Sequence, residues 1–500
     1  MKKRNIYITL ASALVLLFSS CSKDFLETPA PNISDESYFT SDDAAVNALI
    51  GVYDPLARYE STQIHEWMLG DVVSDDAEKG GEGPNDQAYC QELKEFRANS
   101  ENQLLQARWT DGYIGINRAN KLIDGIEGND NITQATQDRV IGEAKFLRAY
   151  YHFQLTKVFG KIPVVTKILK PSEFTLPQNE ITEVYVAIEK DLMDAAANLP
   201  AKEDLGADDI GRATKGAAQA MLVKMYIFQS KWQEAADLSD KFINGDFGNY
   251  QLEADYSKIF TSAGENGVGS IFEIQYLAIP GDGEWGDDNE GTVTSVFQGT
   301  RQLYNADGDI ESAWGWGFNL PTQNLVNEYE AGDLRKDATI LDDHTIVFTG
   351  TDDEEEICTT HINSIGYSDK VYHSLKYYIP SSERNDMSDS PANWRVMRYA
   401  DLLLWNAEAK ANLGGDWETP LNEVRTRAGL ANSVNPDGIS AVAHERRVEL
   451  AMEGHRYWDL VRTGKAVDKL GTNGYTDNKK FLPLPQKELA LNPNLVQNPY

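Results

Sequence analysis

Long stretches of three-to-four-residue apolar periodicity flank one long stretch that has none. After a cap at Thr40 or Ser41, Val46, Leu49, Ile50, Tyr53 and Leu56 fall in one helical register. A second helix carries Leu105, Trp109, Tyr113, Ile116, Asn120 and Ile123. A third carries Val140, Ala144, Leu147, Tyr151, Leu155 and Val158, and stops before Pro163, which lacks the N–H a helix interior needs. Tyr185, Ile188, Leu192 and Leu199 mark a fourth that ends at Pro200. Ala218, Met221, Leu222, Met225 and Tyr226, a turn at Ser230 and Lys231, then Ala235, Leu238 and Phe242 predict a helical hairpin. Further on, RYADLLLWNAEAKANLGG, residues 398–415, is apolar on most faces and ends in Gly, so a buried helix with a glycine cap is expected, and LNEVRTRAGL begins its antiparallel mate.

The stretch HERRVELAMEGHRYWDLVRTGK, residues 444–465, reads as one more helix, with Leu450, Gly454, Tyr457 and Val461 on its apolar face. Glu445, Arg446, Arg447, Glu449, Glu453, Arg456, Asp459 and Arg462 surround that face. Opposite charges three and four apart stabilise an isolated helix by only about 0.2–0.5 kcal/mol per pair, so this density beside a Tyr-Trp pair predicts packing against other segments. The stretch is a structural keystone. Glu445 or Glu449 as a general acid or base is the weaker reading, because Arg neighbours lower a carboxyl pKa that catalysis wants raised.

From 256 to 393 the periodicity gives way to Gly, Asp, Asn and aromatic residues, with short strands expected at SIFEIQYL (270–277) and HTIVFTG (344–350). Its aromatic residues argue against disorder and make it a functional, loop-rich insertion on a helical frame. The fold class is mainly α. Leu222, Tyr226 and Ala235 occupy tetratricopeptide positions, with Val223 in place of the usual small residue.

The start of the chain changes the picture from a fold to a place. Lys2, Lys3 and Arg4 precede an apolar run from Ile6 to Phe18 that is short for a membrane span, so 1–20 reads as a signal peptide. Leu17, Phe18, Ser19, Ser20 and Cys21 resemble a bacterial lipobox, with acylated Cys21 as first mature residue and 21–40, containing Pro29 and Pro31, as a tether. The formal net charge of -32 argues against nucleic acid or anionic lipid as ligand. Cys90 and Cys358 are too few for a disulfide framework and lack metal spacing.

Several ordered motifs carry a family resemblance: EAKFLRAYYHFQLTKVFGKIPVV, the 218–242 hairpin, GWGFNLPTQNLVNEYEAGDLRKDATI, RYADLLLWNAEAKANLGG, VRTRAGL, ERRVELAMEGHRYWDLVRTGK and the closing FLPLPQKELALNPNLVQNPY. Together they resemble the SusD/RagB family of surface nutrient-binding lipoproteins. The resemblance implies a tetratricopeptide-like scaffold of about four helix pairs with a looped ligand face, seated as a lid on a SusC-like TonB-dependent outer-membrane transporter. It implies binding of glycan, or of peptide in some RagB-like members, without catalysis. The expected organisation is a helical region at 41–255, the insertion at 256–393 and C-terminal helices at 394–500.

Enzyme motifs are mostly missing: there is no GxxxxGK[ST], GxSxG, HExxH or CxxC. Gly281, Gly283 and Gly286 fit GxGxxG, but Asp282, Glu284, Asp287 and Asp288 around them would repel phosphate. The acidic loops at Asp75–Asp76, Asp307–Asp309 and Asp352–Glu356 lack complete EF-hand spacing, so a structural calcium is unsupported, no cofactor is expected, and solvated charge is the plainer reading. The seven His residues are scattered, so zinc is unsupported too. A glycoside hydrolase would need two carboxylates flanking a cleft, and no pair is singled out. A repeat scaffold that binds only proteins is a further alternative.

A glycan site needs aromatic faces for the C–H side of a sugar ring, and amides, carboxylates or Arg for its hydroxyls. Trp67 precedes the polar loop GDVVSDDAEKGGEGPNDQAY, which supplies Asp75, Asp76, Lys79 and Asp86, and the insertion supplies Trp285, Arg301, Tyr304 and Trp314. These nine residues are the expected ligand contacts. Trp109, Trp232, Trp405 and Trp458 lie on helical stripes and read as core, and Trp316 and Trp394 as structural.

Overall fold

The computed structural model describes residues 38–279, 290–299, 303–304, 310–312, 315–342, 372–380, 383 and 389–500. The leader with Cys21, the strand expected at 344–350, the GxGxxG glycines, Trp285, Arg301, Trp314 and Cys358 lie outside these residues, and Tyr304 is described only as part of a strand.

The frame is a row of helices, each packed on the next. Helix α1 (Asp42–Tyr53) starts where the Ser41 hydroxyl accepts the Ala44 N–H, and buries Ala45, Ala48, Leu49 and Val52 against α2 (Gln103–Ile126) and α3 (Gln134–Phe159). Ile50, expected in that stripe, points outward and is exposed. Helix α3 lies between α2 and α4 (Ile181–Asn198), and is therefore apolar on more than one side. Arg148 of α3 fastens the three: its guanidinium donates to Asp191 of α4 at 2.6 Å and to Asn120 of α2 at 2.6 Å. The hairpin of α5 (Lys215–Phe228) and α6 (Trp232–Ile243) turns through Ser230 at φ 56°, closed by a Lys231 N–H to Tyr226 carbonyl bond of 2.9 Å.

Helix α7 (Tyr399–Leu413) packs on α6, α8 (Glu418–Arg427) and α9 (Gly438–Glu449), and is buried through Ala409. Gly414, at φ 70°, supplies the left-handed residue that ends it. Among the described residues the strands pair only in twos, each pair antiparallel: β1 (Ala77–Gly80) with β5 (Phe318–Pro321), β2 (Ser270–Ile274) with β8 (Trp394–Arg398), β3 (Leu303–Tyr304) with β4 (Ile310–Ser312), and β6 (Ile340–Asp342) with β7 (Tyr372–Ser374). The strand expected in SIFEIQYL is β2.

The keystone is not one helix. Helix α9 ends at Glu449, the chain turns through Met452 at φ 64° and Gly454 at φ 78°, and α10 (Arg456–Arg462) follows. The turn is forced by contact: a Cβ on Gly70 would lie 2.1 Å from the Gly454 carbonyl oxygen, and Asp71 accepts the Gly454 N–H at 2.9 Å. The charges of this stretch bolt remote segments together. Arg335 donates to Asp333, Glu445 and Glu449, Arg398 to Glu449 and Glu453, Arg425 to Glu330 and Glu445, and Arg427 to Glu449. Glu445 and Glu449 are fully buried. Burial acts to raise the Glu449 carboxyl, but Arg427, Arg398 and Arg335 hold it far below the usual carboxylate range. An acid so strongly ionised and so enclosed has no proton to give to a substrate.

Candidate ligand-binding site

Residues 59–72 position the site. Tyr59–Ile64 and Met68–Val72 wind more widely than an α-helix on either side of an α-helical turn at His65–Trp67, the Gln63 N–H reaching back five residues to the Arg58 carbonyl at 3.3 Å, and the segment is buried from Ser61 to Val72. Its first residue, Tyr59, stays half-exposed while Trp67 goes fully inside. Buried Phe297 meets both rings, at 6.2 Å from Tyr59 and 5.8 Å from Trp67. Phe297 also holds Trp316 edge-on at 4.7 Å and Phe318 at 5.3 Å. The outcome is an aromatic platform: Phe297, Trp67 and Phe318 are its floor, and half-exposed Tyr59 and Trp316 rise from it, with half-exposed Tyr89 beside Tyr59.

The backbone beside Trp316 is cinched. The Trp316 N–H donates to the Val296 carbonyl at 2.7 Å and the Gly317 N–H to the Gly299 carbonyl at 2.9 Å. A Cβ on Gly315 would lie 2.5 Å from Gly299, so the two strands of this neck meet backbone to backbone. On the opposite flank, the β1–β5 ribbon and a Gly81 N–H to Gly317 carbonyl bond of 2.8 Å set the 81–87 loop against the same ribbon.

Four of the expected contacts take other positions. Trp67 is 0% exposed, so its ring supports the platform and presents no face to a ligand. Asp75 is committed to Arg456 at 2.8 Å and buried Asp76 to Arg447 at 2.7 Å, because the keystone turn brings those guanidiniums under the start of the loop. Lys79 is buried, its ammonium donating to the Gly83 and Asp86 carbonyls and lying 5.2 Å from the Phe318 ring centre. It therefore shapes the loop from beneath. Asp86 is half-exposed, and its carboxylate accepts the Glu82 N–H at 2.9 Å. Tyr59 and Tyr89 were not among the expected contacts, and Trp316 was read as structural. Tyr89 is the last residue of the polar loop, as Trp67 stands before its first, and that position is the sequence signal that could have found it.

The polar rim consists of exposed Glu82, Asn85 and Gln103, with Glu60, Asp86 and Gln87 half-exposed. Gln103 donates to Glu60 at 3.3 Å, and the Tyr89 hydroxyl to Gln87. Burial, then the Glu60 charge, lifts the Tyr59 phenol to about 12, so at neutral pH it is an uncharged hydrogen-bonding group. Amides, carboxylates and phenols around apolar ring faces suit a neutral polyhydroxylated ligand. Among the described residues no cluster of three His, Cys, Asp or Glu could hold a metal ion.

Under the floor, buried Asp71 accepts from Gly454 and from the Asn319 amide at 3.2 Å, and Asn319 in turn donates to Gln298 at 3.0 Å. Asn319 has φ 55°, a conformation Asn tolerates better than most residues. Burial pushes the Asp71 carboxyl up to about 8, against the hydrogen bonds from Gly454 and Asn319. The folded state thus keeps a proton that an unfolded Asp gives up near pH 4. This contribution is fully present below pH 4 and is lost as pH rises toward 8, at no more than about 1.4 kcal/mol per pH unit. Asp71→Asn should remove that slope from a plot of denaturant stability against pH from 5 to 8.

Residues 269–500 match the model of the SusD family, and residues 24–227 match a model described as starch-binding associating with outer membrane. SusD-like protein P2 of Formosa agariphila is 28% identical over 97% of each chain. Among solved structures, a laminarin binding SusD-like protein is 30% identical with a TM-score of 0.80, over 92% of this chain and 100% of that one. Surface glycan-binding protein A from Bacteroides thetaiotaomicron, in complex with laminarihexaose, is 25% identical with a TM-score of 0.78, over 92% and 100% of the two chains.

Proposed function

The chain belongs to the SusD family, and from that premise we propose that it binds a glycan at the Tyr59–Tyr89–Trp316 platform and presents it to a SusC-like TonB-dependent transporter. The observation that carries the reading is a set of half-exposed aromatic rings held over a fully buried aromatic floor, with carboxylates and amides at the rim. Stacking takes the apolar face of a pyranose ring, and the rim exchanges hydrogen bonds with its hydroxyls. Asp86 joins from the 81–87 loop, and Trp285, Arg301, Tyr304 and Trp314 are retained in the proposal as further contacts read from the sequence.

The protein works by capture, without catalysis: the most enclosed carboxylates of the keystone are neutralised by Arg, and the rim carboxylates stand at the solvent. Outer-membrane association follows the family description, and the proposal adds acylation at Cys21 as the anchor, residues 21–40 as a tether, and a binding face turned outward from the cell.

Laminarin is the first ligand to test, since two of the similar structures are named for it or hold its hexaose. The test is affinity electrophoresis of the purified protein against laminarin, starch and a panel of plant, host and microbial glycans. Retardation by at least one glycan is expected. A folded protein that none of them retards contradicts the proposal and moves the reading to peptide capture.

A further inference from the structure

Two kinds of donor meet the Asp71 carboxyl beneath the aromatic floor. Oδ1 takes the Gly454 N–H at 2.9 Å, a backbone donor that cannot turn round. Oδ2 meets Asn319 Nδ2 at 3.2 Å, and the same nitrogen meets Gln298 Oε1 at 3.0 Å. The other atom of each amide is buried and unpaired: among the described residues Asn319 Oδ1 has no donor and Gln298 Nε2 no acceptor.

These contacts have a second form of nearly the same shape. When Asp71 is ionised, the Asn319 nitrogen serves both neighbours. When Asp71 is neutral, its proton belongs on Oδ2, because Oδ1 already accepts a backbone N–H. Turning both amides over then lets Asn319 Oδ1 receive the Asp71 O–H on one side and the Gln298 Nε2–H on the other. Both contacts persist with donor and acceptor exchanged, and each form leaves one atom of either amide over.

Burial, which lifts the carboxyl to about 8, makes the neutral form the resident one at pH 6. The charges around Asp71 give the ionised form little help. Asp76 opposes it, and Lys376, which favours it, is bound to Glu453 and to the Glu449 carbonyl. Glu66 on the preceding turn is paired with Arg108, and Arg456 of α10 with Asp75. Lys79 of β1 and Lys94 of the Ala88–Lys94 helix donate to backbone carbonyls. Burial raises the Tyr377 phenol well above its usual value, so it carries no charge here. Both amides adjoin the platform: Gln298 lies between Phe297 and Gly299 of the neck, and Asn319 follows Phe318 on β5.

On the premise that glycan is held at the platform, we propose that Asp71 is its positioning residue, acting through Asn319 and Gln298. The neutral side chain fastens β5 to the neck and keeps the floor closed beneath Tyr59 and Trp316. Loss of the proton to solvent reverses the relay and weakens glycan binding, because a charge enclosed under aromatic rings draws water toward itself and parts β5 from Met68–Val72. Affinity is therefore full at pH 6 and falls as pH rises past the Asp71 midpoint. The coupling is reciprocal, so bound glycan moves that midpoint upward.

Infrared difference spectra between pH 6 and pH 9 test the relay without any glycan. The unaltered protein should lose a protonated-carboxyl band that is missing from the spectra of Asp71→Asn. The buried Glu265, lifted to about 7, titrates in both proteins and cancels. Identical spectra overturn the relay. Calorimetric titration with laminarihexaose, or with whichever glycan retards the protein, tests the coupling at the same two pH values. Binding by the unaltered protein should be about five- to tenfold weaker at pH 9, one proton allowing no more than about tenfold one pH unit above its midpoint. Asp71→Asn, whose amide donates to Asn319 Oδ1 at either pH, should bind equally at both. The same fall in both proteins, or none in either, overturns the coupling. An unaltered protein that binds no glycan at either pH fails the proposed function, and the infrared spectra still decide for or against the relay.

Discussion

Glu449→Gln is expected to lower stability by roughly 3–5 kcal/mol, the range for breaking a buried ion-pair network by removing one partner. One Glu449 oxygen receives Arg427 at 2.6 Å and Arg398 at 2.9 Å, and the other receives Arg335 at 3.1 Å. Arg335 and Arg398 keep Asp333, Glu445 and Glu453, but the enclosed Arg427 pairs with no other carboxylate among the described residues, so a neutral amide removes one of three shared charges and strands the third guanidinium. The amide also turns an N–H toward a guanidinium. The pH dependence adds a second signature. Because the folded carboxyl is held far below its unfolded value, its contribution is present above about pH 4.5 and is lost as pH falls below it. The variant should lose stability at pH 7 and show a shallower decline into acid. Chemical denaturation at pH 7 and pH 4 measures both.

Gly70→Ala should be nearly as costly, at or above the ~3 kcal/mol upper end for overpacking. The added methyl would sit 2.1 Å from the Gly454 carbonyl oxygen and 2.2 Å from its Cα, and neither backbone atom can rotate away. Gly454 cannot retreat, since it holds φ 78° and bonds to Asp71. Gly51→Ala is the contrasting change: inside α1, with nothing within 4 Å of the new Cβ, it should be stabilising by about 0.5–1 kcal/mol. Denaturant titration of the two variants separates a steric contact from a general intolerance of alanine.

The helices were legible because their apolar spacing, caps and stops are local. Ser41, Pro163, Ser230 and Gly414 each fix an end or a turn with chemistry readable within a few residues. The keystone was misread as a single helix because Leu450, Gly454, Tyr457 and Val461 keep helical spacing across a turn, and the turn is imposed by Gly70, nearly four hundred positions earlier in the chain. The partners of the charged lattice were likewise out of reach. Arg335, Arg398, Arg425 and Arg427 lie in separate motifs, and only the packing of α7, α8 and α9 brings them to Glu445 and Glu449.

At the candidate site, proximity to a polar loop misled. Trp67 stands just before that loop, but it lies in an α-helical turn between two widely wound stretches, where the segment carries it into the core and leaves Tyr59 at the surface. Composition marks the region as aromatic and polar, while the side of the backbone each ring occupies depends on tertiary packing. Asp75, Asp76 and Lys79 show the same limit: a charge in a loop reads as solvated until a distant Arg or a carbonyl pair is found to hold it.

Calorimetric titration with laminarihexaose, or with whichever glycan retards the protein best, tests the central claim most directly when unaltered protein is compared with the Tyr59→Ala, Trp316→Ala double variant. Saturable binding by the unaltered protein is predicted, with a loss of at least about tenfold in affinity, some 1.4 kcal/mol, in a variant that still unfolds cooperatively. A folded double variant that binds with unchanged affinity would contradict the placement of the glycan on this platform.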